Sequence, residues 1–409
     1  MASRAKILLV SGSHLCHNPR VFKEATALAD AGYEVEVLGA WYDPTLKRRD
    51  LDLIKGIPFG FVPVLDLVSS GKVVRNYYRL RTKLGRIMHR GLGWQNKLQL
   101  GNVGPELRRL VARRNADLVI AHSEMGLAAL SLPYQGRIGV DMEDWFSEDL
   151  LPEARHHRPL RLLRELERGG LRSATYSACP SRVMSEALAR EYACALPTVL
   201  YNAFPWADRK ELDGTIKDRR ECGVPSVHWY SQTLGPGRGL EDLFAALQHM
   251  KHTCEVHLRG IPLAGFNEWL TFAVPAQWRS RVYVHGLVSN EELLSRIAEH
   301  DIGLAGEMKH CRSRNLTVTN KILHYLLAGL AVVASDTAGQ REVAAQAPKA
   351  IRLYPSGNAR ALAEELDTLL SSGSELRTAR TAALAAAERT FCWERQAPTL
   401  LSSIETALA

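Results

Sequence analysis

The chain has 409 residues, 46% of them apolar, with a formal net charge of +8 and seven cysteines. That length supports two domains with separate cores, and no apolar run approaches the roughly 18 residues that span a bilayer. The cysteines stand singly without a C-x-x-C pair, which argues for reduced, mostly buried thiols and against a disulfide frame or a zinc site. Met1 to Lys6 lead straight into Ile7-Leu8-Leu9-Val10 with no signal-type cleavage pattern, so the expected location is cytoplasmic.

Ile7 to Ser11 alternates into a turn, Gly12-Ser13-His14, and a helix is predicted from about Asn18, with Pro19 first, to Gly32. Tyr33 to Leu38 reads as the next strand, and a strand-helix-strand unit of this length implies a right-handed crossover in a parallel sheet. From Val68 to Pro105 there are eight Lys/Arg (Lys72, Arg75, Arg79, Arg81, Lys83, Arg86, Arg90, Lys97) and no acidic residue. Val74, Tyr77, Tyr78, Leu84, Ile87, Met88 and Trp94 are interleaved at helical spacing, giving a basic amphipathic segment over about 68–105. Two readings stand for it: a segment on an anionic membrane surface or polyanionic acceptor, or a surface helix packed by its apolar stripe. Nucleic acid is not expected, because no reader motif accompanies the charge. Further strands are predicted at Asp117 to Ala121, Arg137 to Val140, Ala174 to Ala178 and Thr198 to Tyr201, so the first half is doubly wound.

Around Asn202 to Val224 the pattern loosens into a charged connector. Strands are then predicted at Val227 to Ser231, Cys254 to Leu258, Arg281 to Val284, Ile302 to Ala305, Ala331 to Ala334 and Ala350 to Leu353. Helices are predicted at Gly239 to Met250, after Ser289 with Glu292 completing a capping box, and from Thr319. The whole is two doubly wound domains in series, whose ligands belong at the carboxyl ends of the strands. From Met308 to Ser335 there are four Lys/Arg and no acidic residue. Lys321 in the first turn of its helix is unfavourable beside the positive helix end unless an anion such as phosphate sits there; a solvated basic loop is the other reading.

Asn18-Pro19-Arg20-Val21-Phe22-Lys23-Glu24-Ala25, Leu200-Tyr201-Asn202-Ala203, Val284 to Leu293, Arg314 to Asp336 and Ala338-Gly339-Gln340-Arg341-Glu342-Val343 resemble, in order and over nearly the whole chain, the GT-B glycosyltransferases of family 4. The resemblance implies an α/β fold of two Rossmann-like doubly wound domains facing across a cleft. Residues 1–204 would be the acceptor side, 205–390 the nucleotide-sugar side, and 391–409 a helix crossing back. It also implies retaining transfer of a sugar from a nucleoside-diphosphate sugar to a hydroxyl acceptor, and the basic segment from Lys72 to Lys97 suggests that this acceptor is a glycan or lipid-linked precursor of the cell envelope. No cofactor beyond that co-substrate and no essential metal are expected. With the basic segment, this reading makes the protein peripheral on the cytoplasmic membrane face.

Negative charge on a departing diphosphate calls for cations and backbone donors. Arg238 matches the position of the family's phosphate-binding Lys, with an ordinary surface role as the alternative. Gly235, Gly237 and Gly239 around it are not spaced as a dinucleotide fingerprint, and Gly237 belongs to the donor loop. The family's partner cation is replaced by Thr233, so Lys321, Arg312 or Arg314 is expected to substitute, with the amides around Thr319, Asn320 and Lys321 holding the distal phosphate. His324 stands where relatives carry a ribose-binding Glu; it shares a helical face with Lys321 and accepts one hydrogen bond where a carboxylate accepts two. A histidine satisfied in packing is the alternative. Glu307 is a donor-side acceptor for sugar hydroxyls, and Leu316 breaks the Glu-x7-Glu pair.

In the first half Glu143 stands where the family has His, placed to stabilise an oxocarbenium-like centre or take the acceptor proton. His122 is a second catalytic candidate at the same sheet edge. Gly12 and Ser13 are expected to approach a ligand closely, and Arg20 to face the cleft or pair with Glu24. Two rival functions remain: an epimerase or hydrolase acting without an acceptor, and a catalytically weak nucleotide-sugar-binding protein, for which Thr233, Glu143 and His324 are losses.

Overall fold

The first sheet contains β1 (Lys6–Val10), β2 (Glu34–Trp41), β3 (Gly60–Asp66), β4 (Leu118–Ala121), β5 (Arg137–Asp141), β6 (Tyr176–Cys179) and β7 (Thr198–Val199). Their spatial order is β3-β2-β1-β4-β5-β6-β7, and all pairings are parallel. The structure is a computed structural model describing residues 5–101, 103–131, 136–150, 155–221 and 223–409. β1 lies inside the sheet between β2 and β4, and Ile7, Leu8, Leu9 and Val10 are fully buried, as expected for a parallel strand covered on both faces. The helix Pro19–Asp30 starts as predicted: Asn18 accepts a hydrogen bond from Val21 N at 3.1 Å, and proline supplies the first turn.

β3 is absent from the predicted strands. Pro63 lies inside it, and the register with β2 shifts there. Proline is tolerated because β3 is an edge strand with an irregularity beside it.

The second sheet contains β8 (Ser226–Leu234), β9 (Glu255–Pro262), β10 (Val282–His285), β11 (Ile302–Ala305), β12 (Ala331–Ser335) and β13 (Ile351–Tyr354). It is ordered β10-β9-β8-β11-β12-β13 and is also parallel throughout. Ser289 caps the helix Asn290–Ala298 through Glu292 N. Glu292 does not close the predicted capping box: its carboxylate takes Lys217 Nζ at 2.9 Å instead. The chain divides into two compact units, one running to Leu200 and taking in Ala397–Ala409, the other Tyr201–Gln396.

In each sheet the winding direction reverses once, between β1 and β4 and between β8 and β11. Loops that follow strands on either side of such a switch diverge and leave a crevice at the carboxyl ends. In the second unit a missing side chain sets the helix beside that crevice. A Cβ on Gly303 in β11 would lie 2.2 Å from Cγ of Tyr325, so glycine lets the helix Asn320–Ala328 settle on the sheet. Tyr325 OH then donates to His228 O at 3.1 Å.

Four histidines on β8, β9, β10 and just before β11 pack together. The rings of His228 and His300 stack at 4.6 Å, His257 lies 4.6 Å from His300, and His257 Nδ1 lies 3.0 Å from His285 Nε2. Burial lowers His228 well below the ordinary histidine range, and His300 adds to this. Burial first, then the neighbouring His300, pushes His257 down to about 3. These groups are neutral when folded and protonate near pH 6.5 when unfolded. The stability they contribute is therefore present above about pH 6.5 and is lost as pH falls toward 3. Neither ring nitrogen of His228 has a hydrogen-bond partner, and such burial costs about 1–3 kcal/mol. His228→Leu is thus expected to be neutral or stabilising at pH 7 and to flatten the loss of stability between pH 6.5 and 4, read as urea midpoints against pH. A midpoint lowered at pH 7 with an unchanged pH slope would contradict this.

Candidate functional site

The carboxyl ends of β1, β4 and β5 bring together the candidates of the first unit. Gly12 follows β1 with φ +67, and a Cβ there would meet Leu107 at 3.0 Å and Val103 at 3.2 Å. The left-handed turn therefore needs glycine for conformation and for space. Ser13 Oγ lies 3.2 Å from Ser11 Oγ. His122 follows β4, and its backbone N–H extends the ladder to Val10 O at 3.0 Å. Glu143 stands two residues beyond the end of β5.

Arg20 does not face an open cleft. It is 1% exposed, with Nε donating to Asp141 Oδ2 at 2.8 Å, Nη1 donating to Leu200 O at 2.7 Å, and Glu24 Oε1 at 3.2 Å. The desolvated guanidinium is held there by two carboxylates, and these interactions take it out of ligand reach. His122 is also buried, between Glu24 Oε2 at 3.4 Å from Nε2 and Glu143 Oε1 at 3.1 Å from Nδ1.

Glu143 is the member that reaches solvent, with its side chain 23% exposed. Asn18 Nδ2 donates to the same oxygen, Oε1, at 3.1 Å. Both donors thus hold one oxygen, and Oε2 is left to accept a hydrogen bond from outside. The sequence showed Asn18 only as a helix cap; its second role depends on the fold bringing residue 143 beside it.

Glu24, His122 and Asp141 present ligand-type atoms within 4.8 Å of one another. The cation among them is Arg20, and a metal ion placed there would be repelled by the guanidinium 2.8 Å from Asp141 Oδ2. The set therefore fits an ion-pair cluster. Burial raises Asp141, but Arg20 and then His122 outweigh it and hold the carboxyl below its ordinary range. Burial and the Asp141 charge raise Glu24 well above its ordinary value.

Burial would lower His122, but the Glu24 carboxylate, the Glu143 bond and the Asp141 charge hold the imidazole up to about 9. Its folded pKa exceeds the unfolded value near 6.5. The corresponding stabilisation is complete below about pH 6.5 and is lost as pH rises through about 9. In long-range nitrogen–proton NMR spectra, His122 is expected to titrate near 9 and to move down in Glu24→Gln. Titration near 6.5 in the wild type would contradict the assigned charge pattern.

In the second unit the loops after β8 and β11 meet backbone to backbone. Gly237 and Gly239 have φ +78 and +82, and a Cβ on Gly239 would lie 2.3 Å from Gly306 O. Arg238 between them is exposed, with Nη1 3.4 Å from Ser231 Oγ. Glu307 is braced by Ser335, whose Oγ receives Glu307 N and donates to Glu307 O, both at 2.8 Å. Lys321 Nζ pairs with Glu307 Oε1 at 2.7 Å and lies 5.2 Å from the centroid of the Trp229 ring.

Thr319 occupies the N-cap of the Lys321 helix, but its side chain does not cap it. It is 8% exposed, and its Oγ1 has no hydrogen-bond partner. Asn320 is exposed in the first turn. The other end of this helix is closed: Gly329 adopts φ +79, Arg209 donates to Leu327 O, and Arg380 Nε donates to Gly329 O at 3.1 Å.

His324 is in the packing of its own unit. Its ring stacks on Phe204 with centroids 3.4 Å apart, and Nδ1 lies 2.7 Å from Tyr230 OH. The sequence spacing that grouped it with Lys321 did not show that Phe204, 120 residues earlier, covers the ring. A cavity of about 650 Å³, lined by Arg209, Asp213, Arg219, Glu299, Gly329 and Arg380, lies at the closed end of the helix, away from the strand carboxyl ends.

Residues 229–372 match the family model described as glycosyl transferases group 1. A search of curated protein sequences returns no match. Among solved structures, a sucrose-phosphate synthase from Thermosynechococcus elongatus aligns over 98% of both chains at 14% identity with a TM-score of 0.72. Anabaena Alr3699/HepE in complex with UDP and glucose aligns over 98% of this chain and 100% of its own, at 17% identity and a TM-score of 0.67. The lipopolysaccharide outer core galactosyltransferase WaaB covers 98% and 99% at 13% identity and 0.63. The chain has the GT-B fold of two Rossmann-like domains, and its residues 229–372 resemble the glycosyl transferases group 1 family.

Proposed function

We propose that this protein transfers a sugar from a nucleoside-diphosphate sugar to a hydroxyl acceptor, a glycan or a lipid-linked precursor, with retention of anomeric configuration. The observation that carries the reading is the open end of the helix Asn320–Ala328, where no side chain caps the amides, Lys321 stands in the first turn and buried Thr319 Oγ1 lacks a partner. That end lies within the family match and beside the strand switch. Free amides and a lysine at a positive helix end suit a phosphate. Arg238 supplies a second cation from the loop after β8. HepE was crystallised with UDP-glucose, which makes uridine diphosphate sugars the first donors to test.

On this reading the diphosphate draws Lys321 from Glu307, and the carboxylate becomes available to sugar hydroxyls. The glycosidic oxygen leaves with the bonding pair, stabilised by Lys321, Arg238 and the helix amides. Glu143, the accessible carboxylate of the first unit, orients the acceptor through a hydroxyl other than the one that reacts, and the reacting hydroxyl adds to the anomeric carbon on the face the diphosphate leaves. Its proton goes to the departing phosphate. His324 does not enter these steps; it supports Tyr230 and Phe204 within the domain.

Calorimetry with UDP, GDP, ADP and their sugars tests the donor site. One nucleotide is expected to bind saturably, and Lys321→Ala and Arg238→Ala are each expected to weaken it about 10- to 100-fold, the loss of one or two charge-assisted bonds. Glu143→Gln is expected to leave that affinity unchanged within about twofold while abolishing transfer. Binding by no nucleotide, or wild-type affinity in both cation variants, would contradict the site. Turnover of the donor without any acceptor would favour the epimerase or hydrolase reading.

A further inference from the structure

The 21-residue helix Lys72–Leu92 is docked by a narrow face that is neither its apolar nor its basic one. Arg81 forms a two-pronged pair with Glu106, Nη1 to Oε1 and Nη2 to Oε2 both at 2.9 Å, and Tyr78 OH adds a contact to Oε1 at 3.3 Å. One turn on, Gly85 is buried; its carbonyl accepts from Gln99 Nε2 at 2.8 Å and Asn96 Nδ2 at 3.2 Å, and a Cβ there would lie 2.9 Å from Leu98 Cβ. Of the two readings of the segment, packing through the apolar stripe is therefore not what the structure shows.

Val73, Tyr77, Leu80, Leu84 and Ile87 recur at alternating steps of four and three and form one continuous stripe, each between 47% and 83% exposed. Leu92 and Trp94 extend exposed apolar surface past the helix end. On the adjoining side Lys72, Arg75, Arg79, Lys83, Arg86 and Arg90 form a second ridge. The helix contains no acidic residue, and among the described residues none of these six cations has an ion-pair partner. A stripe of this length is far more apolar than ordinary solvent-facing surface, and the ridge beside it calls for an anionic partner. A soluble polyanion would neutralise the ridge but leave the stripe in water. An anionic bilayer surface satisfies both, with the stripe among the acyl chains and the cations at the phosphates. Tyr77 and Trp94 are residue types favoured at that interface.

We infer that the helix Lys72–Leu92 is a membrane-docking element that lies in the headgroup region of an anionic bilayer, spanning about 31 Å along it at 1.5 Å per residue. This goes beyond the transfer reaction, because the surface would bind lipid whether or not the protein transfers a sugar. It also gives an acceptor anchored in lipid a reason to meet this chain.

The test is co-sedimentation of the full chain with vesicles of phosphatidylcholine alone or mixed with phosphatidylglycerol in equal parts. Binding is expected to the anionic vesicles, with at least about tenfold weaker partition to phosphatidylcholine alone and a further fall with salt. The pair Leu80→Ser and Leu84→Ser is expected to reduce binding about tenfold or more. The pair Arg79→Gln and Arg86→Gln is expected to reduce both binding and its salt dependence. Because these side chains are exposed, all variants should keep the wild-type melting temperature and nucleotide affinity, which separates a failure of docking from a failure of folding or of the donor site. Absence of binding to anionic vesicles would overturn the inference. So would undiminished binding by the double serine variant, which would point to a soluble polyanion recognised by charge alone.

Discussion

The helix Asn320–Ala328 lies against its sheet because Gly303 has no side chain. With the Tyr325 ring only 2.2 Å from where a Cβ would stand, any other residue would lift the helix from β11. The helix direction then follows from the parallel crossover: its amino end lies beside the loop after β11, and its carboxyl end at the far side of the sheet. Gly329, Arg209 and Arg380 satisfy the far carbonyls. The amino end, in contrast, has no side-chain cap and holds Lys321 against Glu307. One end is closed by the protein's own groups and the other has no side-chain cap.

The two units present opposite chemistry at equivalent places in their sheets. At the β8/β11 switch stand exposed Arg238, the Lys321–Glu307 pair and the uncapped amides of the helix. At the β1/β4 switch the accessible group is a carboxylate oxygen of Glu143, supported by His122 and Asn18. Behind it Arg20, Glu24 and Asp141 form a buried cluster whose charges depend on one another, so removing one partner would leave others unpaired in a medium where that costs about 3–5 kcal/mol. Glu143 is held beside this cluster as an oriented acceptor by His122 and Asn18.

Much of this was legible in the sequence because it is local. Alternating runs such as Ile7 to Val10 and Ala331 to Ala334, caps such as Asn18 and Ser289, and the charge bias around Lys321 all follow from neighbours a few residues apart. What was not legible depends on distant partners. Pro63 conceals β3 because its edge position is a tertiary fact. Arg20 reads as ligand-facing until Asp141, 121 residues on, is placed against it. His324 reads as a ribose partner until Phe204 stacks on its ring. The helix Lys72–Leu92 shows its amphipathic pattern plainly, but only Arg81 and Gly85 reveal which face is docked.

In the proposed function the second unit takes its donor diphosphate at the open end of the Lys321 helix. Amide hydrogen exchange on the intact protein, with and without a saturating nucleoside-diphosphate sugar, tests this most directly. The predicted result is new protection confined to residues 235–241, 306–309 and 319–323, the three segments that border the β8/β11 switch. Protection centred instead on residues 212–219 and 377–384, which border the cavity at the closed end of the helix, would contradict it.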